Sequence, residues 1–173
     1  MNDPTPSRPA RFTYDAFPPY RYVPGKAPHP FAHKEGWGFG RERPVPPYHP
    51  PERWQKSRAY LFGCDLFNAA YWWEAHETWE ELWHVAKPRS PAWDHLLKGL
   101  IQLAACSLNR EREVHGGASR LLLTACAALQ RAHDPASTNF GLDLPALLTE
   151  ARTHLSAKTP PTPGLYVLPK LPA

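Results

Sequence analysis

The chain of 173 residues is short of several things that would have placed it quickly. It has three cysteines, Cys64, Cys106 and Cys126, with no CxxC spacing. An odd, scattered set of this kind argues against both a disulfide framework and a zinc ribbon, and points to the reducing cytoplasm. No run reaches the roughly 18 to 20 apolar residues of a membrane span, because the densest stretch, LLLTACAAL, soon meets Gln130 and Arg131. The first fifteen residues lack the apolar core of a secretory signal. There is no glycine-rich loop to cradle phosphate and no Gly-x-Ser-x-Gly nucleophile turn. No stretch alternates as a strand does, so the expectation is an all-α protein.

What is present is unevenly placed. Thirteen of the 22 prolines lie in residues 1–51 and five in 160–172. Proline cannot continue a helix, so both ends read as extended or turn-rich. The N-terminal stretch also carries Tyr14, Phe17, Tyr20, Tyr22, Phe31, Trp37, Phe39 and Tyr48, too much aromatic surface to be left in water. It is expected to be an ordered wrapping arm, frayed over residues 1–10. Charge divides the same way: residues 1–58 hold ten Lys/Arg against five Asp/Glu, whereas 59–156 hold eight against eleven. A basic arm lying on an acidic helical domain accounts for this better than nucleic-acid binding, for which no reader motif is present. The domain reading is 1–50 arm, 51–156 helical bundle and 157–173 extended tail.

Helical periodicity begins at Pro51. It predicts a first helix over 51–68, a second over about 71–86 stopped by Pro88, and a third opened by Ser90 and Pro91 as cap and first residue. A fourth is expected after His115-Gly116-Gly117, and a fifth capped by Asp143, with the segment 134–141 as a loop. The fold class is thus a compact all-α bundle of about five helices with short connections.

Candidate chemistry is confined to YWWEAHETWEELW in the second helix. At 100° per residue, Trp72, His76, Trp79 and Trp83 form one stripe, with Trp73 and Glu80 on its flank. Glu74, Thr78 and Glu81 face away, and Glu77 lies at the border. So large an aromatic stripe is expected to be buried, carrying His76 and Glu80 into or beside it, one turn apart. Two readings stand side by side. In one, His76 and Glu80 ligate a divalent metal at the i,i+4 spacing of HExxH helices, with Glu77 as catalytic base and a third ligand unassigned. In the other they form a buried structural pair in a non-catalytic helical interaction module. A di-iron carboxylate bundle is excluded, because it needs two ExxH pairs and only Glu81-to-His84 is present.

In the third helix Gln102 shares a face with His95, Gly99 and Cys106. That face reads as solvent-facing, or, through its small residues, as a close approach that brings Gln102 to the His76–Glu80 pair. His29, His33 and His49 in the arm read as turn-flanking residues, and Cys106 and Cys126 as core. No membrane partner is expected; a homo-oligomer, and a small-molecule or protein partner, stay open.

The run DLFNAAYWWEAHETWEELW (Asp65 to Trp83), followed by LLKGLIQLAACSLNR and by a helix opening at Gly116 to Ala118, resembles the bacterial and archaeal family called domain of unknown function 309. The upstream YVPGKAPHP and GWGFG resemble the N-terminal extension of one branch of it. The resemblance spans roughly residues 20 to 130. The chain departs from the pattern at Ala70, where the family often has glycine. Members are often labelled predicted metal-dependent hydrolases, and the resemblance implies a compact five-helix bundle of uncharacterised activity. It also implies a candidate site of His76, Glu77, Glu80, Trp83 and Gln102.

Overall fold

A computed structural model describes residues 11–134 and 139–156. The expectations for residues 1–10, for the tail and for part of the loop at 134–141 lie outside the described residues. Among those described there are five α-helices, two short 3-10 turns and no strand. A 3-10 turn at Pro51–Lys56 precedes α1 (Arg58–Asn68), α2 (Trp72–Ala86), α3 (Pro91–Glu111) and α4 (His115–Ala132). A second 3-10 turn, Asn139–Gly141, leads into α5 (Leu144–Ser156). The all-α bundle expected from periodicity is therefore observed.

The first expected helix is divided. Ser57 leaves helical geometry, and its N–H bonds to the Trp54 carbonyl at 2.9 Å. This break turns the Trp54 ring into the core, edge-on to Tyr60 at 6.0 Å. A straight helix would have carried that large apolar ring past its partner. The α1–α2 junction follows local rules more closely. The Tyr71 N–H reaches the Leu66 carbonyl and the Ala70 N–H the Phe67 carbonyl, a Schellman stop in which Ala70 holds the left-handed position at φ 63°. A side chain is strained there, which is the physical reason glycine suits this slot.

The start of α3 is as expected: Pro91 is its first residue, and the Ser90 hydroxyl accepts the Trp93 N–H at 3.2 Å. Its long Leu face, Leu96, Leu97, Leu100 and Leu103, is fully buried, and α3 forms the centre of the bundle between α2 and α4. The fourth helix begins three residues before Ala118. Glu113 at φ 60° closes α3 with the same kind of turn, and the chain re-enters a helix at once. Asp143 caps α5 through the Ala146 N–H at 3.0 Å.

Two glycines permit the closest helix contacts. A Cβ on Gly63 of α1 would run into the Trp79 indole of α2, and one on Gly99 of α3 into Leu129 of α4. Residues 11–50 carry no helix and lie against the outer side of α1 and α2. Asp65 of α1, fully buried, accepts the N–H groups of Phe12 and Thr13 at 2.8 and 2.9 Å and the Thr13 hydroxyl at 2.7 Å. Arg21 pairs with Glu111 at 2.9 Å and donates to the Ala70 carbonyl at 2.7 Å. The basic arm thus meets acidic groups of its own bundle.

Candidate functional site

The second helix has one aromatic face, and its burial is graded. Trp79 is completely buried against α1, its indole N–H donating to the Tyr60 carbonyl at 3.2 Å and its ring 5.8 Å from Phe67. Trp72 is also buried, with the Arg21 guanidinium 5.8 Å above it. Trp83 is only half-buried; it donates to Asp94 at 2.6 Å and carries the Lys87 ammonium 4.0 Å over its ring. The stripe therefore runs from the core to the surface within one helix.

His76 and Glu80 follow that gradient. Of the two placements expected, into or beside the Trp-rich interior, the structure has the second: their side chains are 27% and 42% exposed. They sit at the rim because α3 covers α2 on one flank only. His76 Nδ1 lies 3.3 Å from the Ile101 carbonyl of α3, and Nε2 lies 3.8 Å from a Glu80 oxygen. A carbonyl can only accept, so this contact puts a proton on Nδ1 and turns Nε2 toward Glu80. Glu77, at the helical border, is brought to the pair: one ligand atom from each of His76, Glu77 and Glu80 lies within 4.8 Å of the others. Ligands at about 2.0 to 2.2 Å from a metal stand roughly 3.4 Å apart, so side-chain rotations closing about 1 Å would complete a His-Glu-Glu set. One nitrogen and two carboxylates suit a divalent ion such as borderline zinc or the harder manganese.

Several other expectations are settled by packing. Gly99 and Cys106 are buried against α4, with the Cys106 thiol donating to the Ala118 carbonyl, so their face of α3 is not solvent-facing. The close approach is to α4 and not to α2. Gln102 is half-buried, and its side-chain oxygen has no hydrogen-bond partner. The arm histidines act in turns, as expected: His29 Nδ1 accepts the N–H groups of Phe31 and Ala32, and His33 Nδ1 that of Glu35. His49 contributes its carbonyl to the Trp93 indole N–H at 2.8 Å. All three cysteines are free and buried, and burial raises the Cys106 thiol to about 11.

The sequence reading missed the other face of α2. Glu74, expected to face away, is only 4% exposed because the arm covers it. One carboxylate oxygen, Oε1, accepts the Tyr22 N–H at 2.7 Å, while Oε2 is buried without a partner. Desolvation raises this carboxyl to about 7, with the Tyr22 N–H and the Arg21 charge pulling the other way. Trp73 belongs to this side too, edge-on to Tyr22 at 4.9 Å and to His29 at 5.3 Å. Arg43 of the arm bonds Glu77 Oε2 at 3.0 Å, pairs with Glu81, and lies 4.6 Å over the Phe31 ring. The only sequence signal for these contacts was the opposite charge of arm and bundle, which names no pairs.

Residues 60–121 match the family described as Domain of unknown function (DUF309), so the resemblance read from the residues holds over that segment. The match contains α2 with the whole His76–Glu77–Glu80 trio, and Gln102. Neither the curated proteins nor the solved structures gave a match. No described helix is long and apolar enough to cross a membrane.

Proposed function

For a chain whose central segment carries this uncharacterised domain, we propose that His76, Glu77 and Glu80 bind a divalent metal ion and serve a hydrolytic reaction. The observation that carries this reading is the convergence of one imidazole and two carboxylates at the rim of α2, within 4.8 Å. Bound there, a divalent ion would supply a Lewis acid for a substrate oxygen and for water. The protein's own residues do the positioning. The Ile101 carbonyl holds the His76 ring and selects the tautomer whose Nε2 is free, the outer-shell arrangement usual for metal-ligating histidine. Arg43 engages Glu77 Oε2, so this carboxylate is positioned from the arm. Exposure of His76 and Glu80 leaves one side open to a substrate. Glu77, first read as the base, fits better as the missing third ligand.

The test is metal content and melting temperature of the purified protein with zinc or manganese added. A ligand that binds only the folded state raises the melting temperature by mass action, about 2.7 kcal/mol at a hundredfold excess over Kd. The rise should vanish in His76→Ala and in Glu80→Gln, and weaken in acid as the ligands protonate. If the pair belongs instead to a non-catalytic helical module, metal will leave the melt unchanged and both substitutions will only destabilise. A metal shift that survives loss of His76 would refute the assignment.

A further inference from the structure

A second chemical environment lies on the arm-covered face of α2. A cavity of about 260 Å³ opens between the arm and the outer sides of α1 and α2. Its apolar walls include Phe31, Trp37, Phe62 and Trp73, and Glu74 lines it from α2. Two buried polar atoms among its lining residues have no hydrogen-bond partner: Glu74 Oε2 and the Trp37 indole N–H. Leaving such groups unpaired is costly, and in a folded chain they mark a place where something else bonds. Glu77 is shared with the His76 trio, but the aromatic walls, Trp37 and Glu74 are not part of that trio.

Charge decides what that something is. Arg43 is matched by Glu77 and Glu81, and Arg41 and Glu42 are both exposed to solvent. Glu74 is left over, with no ion-pair partner among the described residues. The walls already receive a cation, since the Arg43 guanidinium stacks 4.6 Å over Phe31. The volume falls just under the roughly 300 to 1,000 Å³ of drug-sized ligand sites, so the occupant is small.

From the unpaired Glu74 oxygen, the unpaired Trp37 donor and the aromatic walls, we infer that this cavity binds a small organic amine. Side-chain rotations that open these two buried atoms to the cavity let its ammonium group meet Glu74 Oε2 and a hydrogen-bond acceptor on the same molecule meet the Trp37 N–H, while its apolar body packs on Trp73 and Phe31. Such a ligand holds the arm to the bundle from inside, so binding and arm order are coupled.

A matched pair of probes tests this: phenylalaninol, which has the ammonium and hydroxyl groups, against 3-phenyl-1-propanol, which lacks the amine. Titration of the full chain at about pH 8, followed by calorimetry and tryptophan fluorescence, should show the amine binding at least tenfold more tightly than the alcohol. Glu74→Gln should erase that discrimination. Trp37→Phe, which keeps the ring and removes the donor, should weaken both probes several-fold while the protein stays folded by circular dichroism. His76→Ala should bind the amine as the wild type does, which separates this cavity from the metal trio. Equal binding of the two probes, undiminished preference in Glu74→Gln, or loss in His76→Ala would overturn the inference.

Discussion

Replacing Glu74 by Gln should stabilise the protein, and by an amount that depends on pH. In the unfolded chain this carboxyl has its ordinary value near 4.5; in the folded protein burial raises it to about 7. Between those values the unfolded chain has released its proton while the folded protein still holds it. Folding is therefore favoured most at the acid end of the window, and that advantage is lost as pH rises through about 7. At about 1.4 kcal/mol per pH unit, the wild type should lose about 3 kcal/mol through this one group between about pH 4.5 and pH 7.5. Gln keeps the carbonyl oxygen that accepts the Tyr22 N–H but cannot ionise. Urea melts of both proteins across that range isolate the effect. The other groups that act on Glu74, chiefly Arg21 and Glu77, are present in both proteins. The variant should match the wild type near pH 4.5 and exceed it by about 3 kcal/mol above pH 7.5. A difference that stays flat within about 1 kcal/mol would mean that Glu74 is hydrated or paired in solution and that the arm does not seal it.

Other substitutions probe the packing that holds the site. Trp79→Ala should cost about 3 to 5 kcal/mol in denaturant melts, because the ring is fully buried and its pocket is closed by Gly63 and Phe67; a loss below about 1 kcal/mol would contradict that packing. Ala70→Gly should raise stability by about 0.5 to 1 kcal/mol, since relief of the left-handed Cβ strain outweighs glycine's greater freedom when unfolded; a lower midpoint would show that φ differs from 63°. Asp65→Ala should cost about 2 to 4 kcal/mol by removing the acceptor of three arm donors. It should also speed tryptic cleavage at Arg11 and Arg21, and an unchanged digestion pattern would show that the arm is held elsewhere.

Much of this protein could be read from the chain alone, for local physical reasons. Pro91 and Ser90 set the start of α3, Asp143 the cap of α5, and a repeat of apolar residues near 3.6 set each helix. The i,i+4 placement of His76 and Glu80 follows from helix geometry, and the structure keeps them 3.8 Å apart. Periodicity states which residues share a face, but not what covers that face. That was decided by contacts distant in sequence. The arm reaches Asp65 and Glu74 across 52 or 53 positions, which turned an expected outward carboxylate into a buried one with a raised pKa. Packing of α3 between α2 and α4 buried Gly99 and Cys106 and left His76 at a rim. Glu77 joined the pair through side-chain reach, which backbone spacing alone does not determine. Helices are written in local hydrogen bonds and caps, whereas burial, and with it the chemistry of a carboxylate, belongs to whichever segment of chain comes to lie on top.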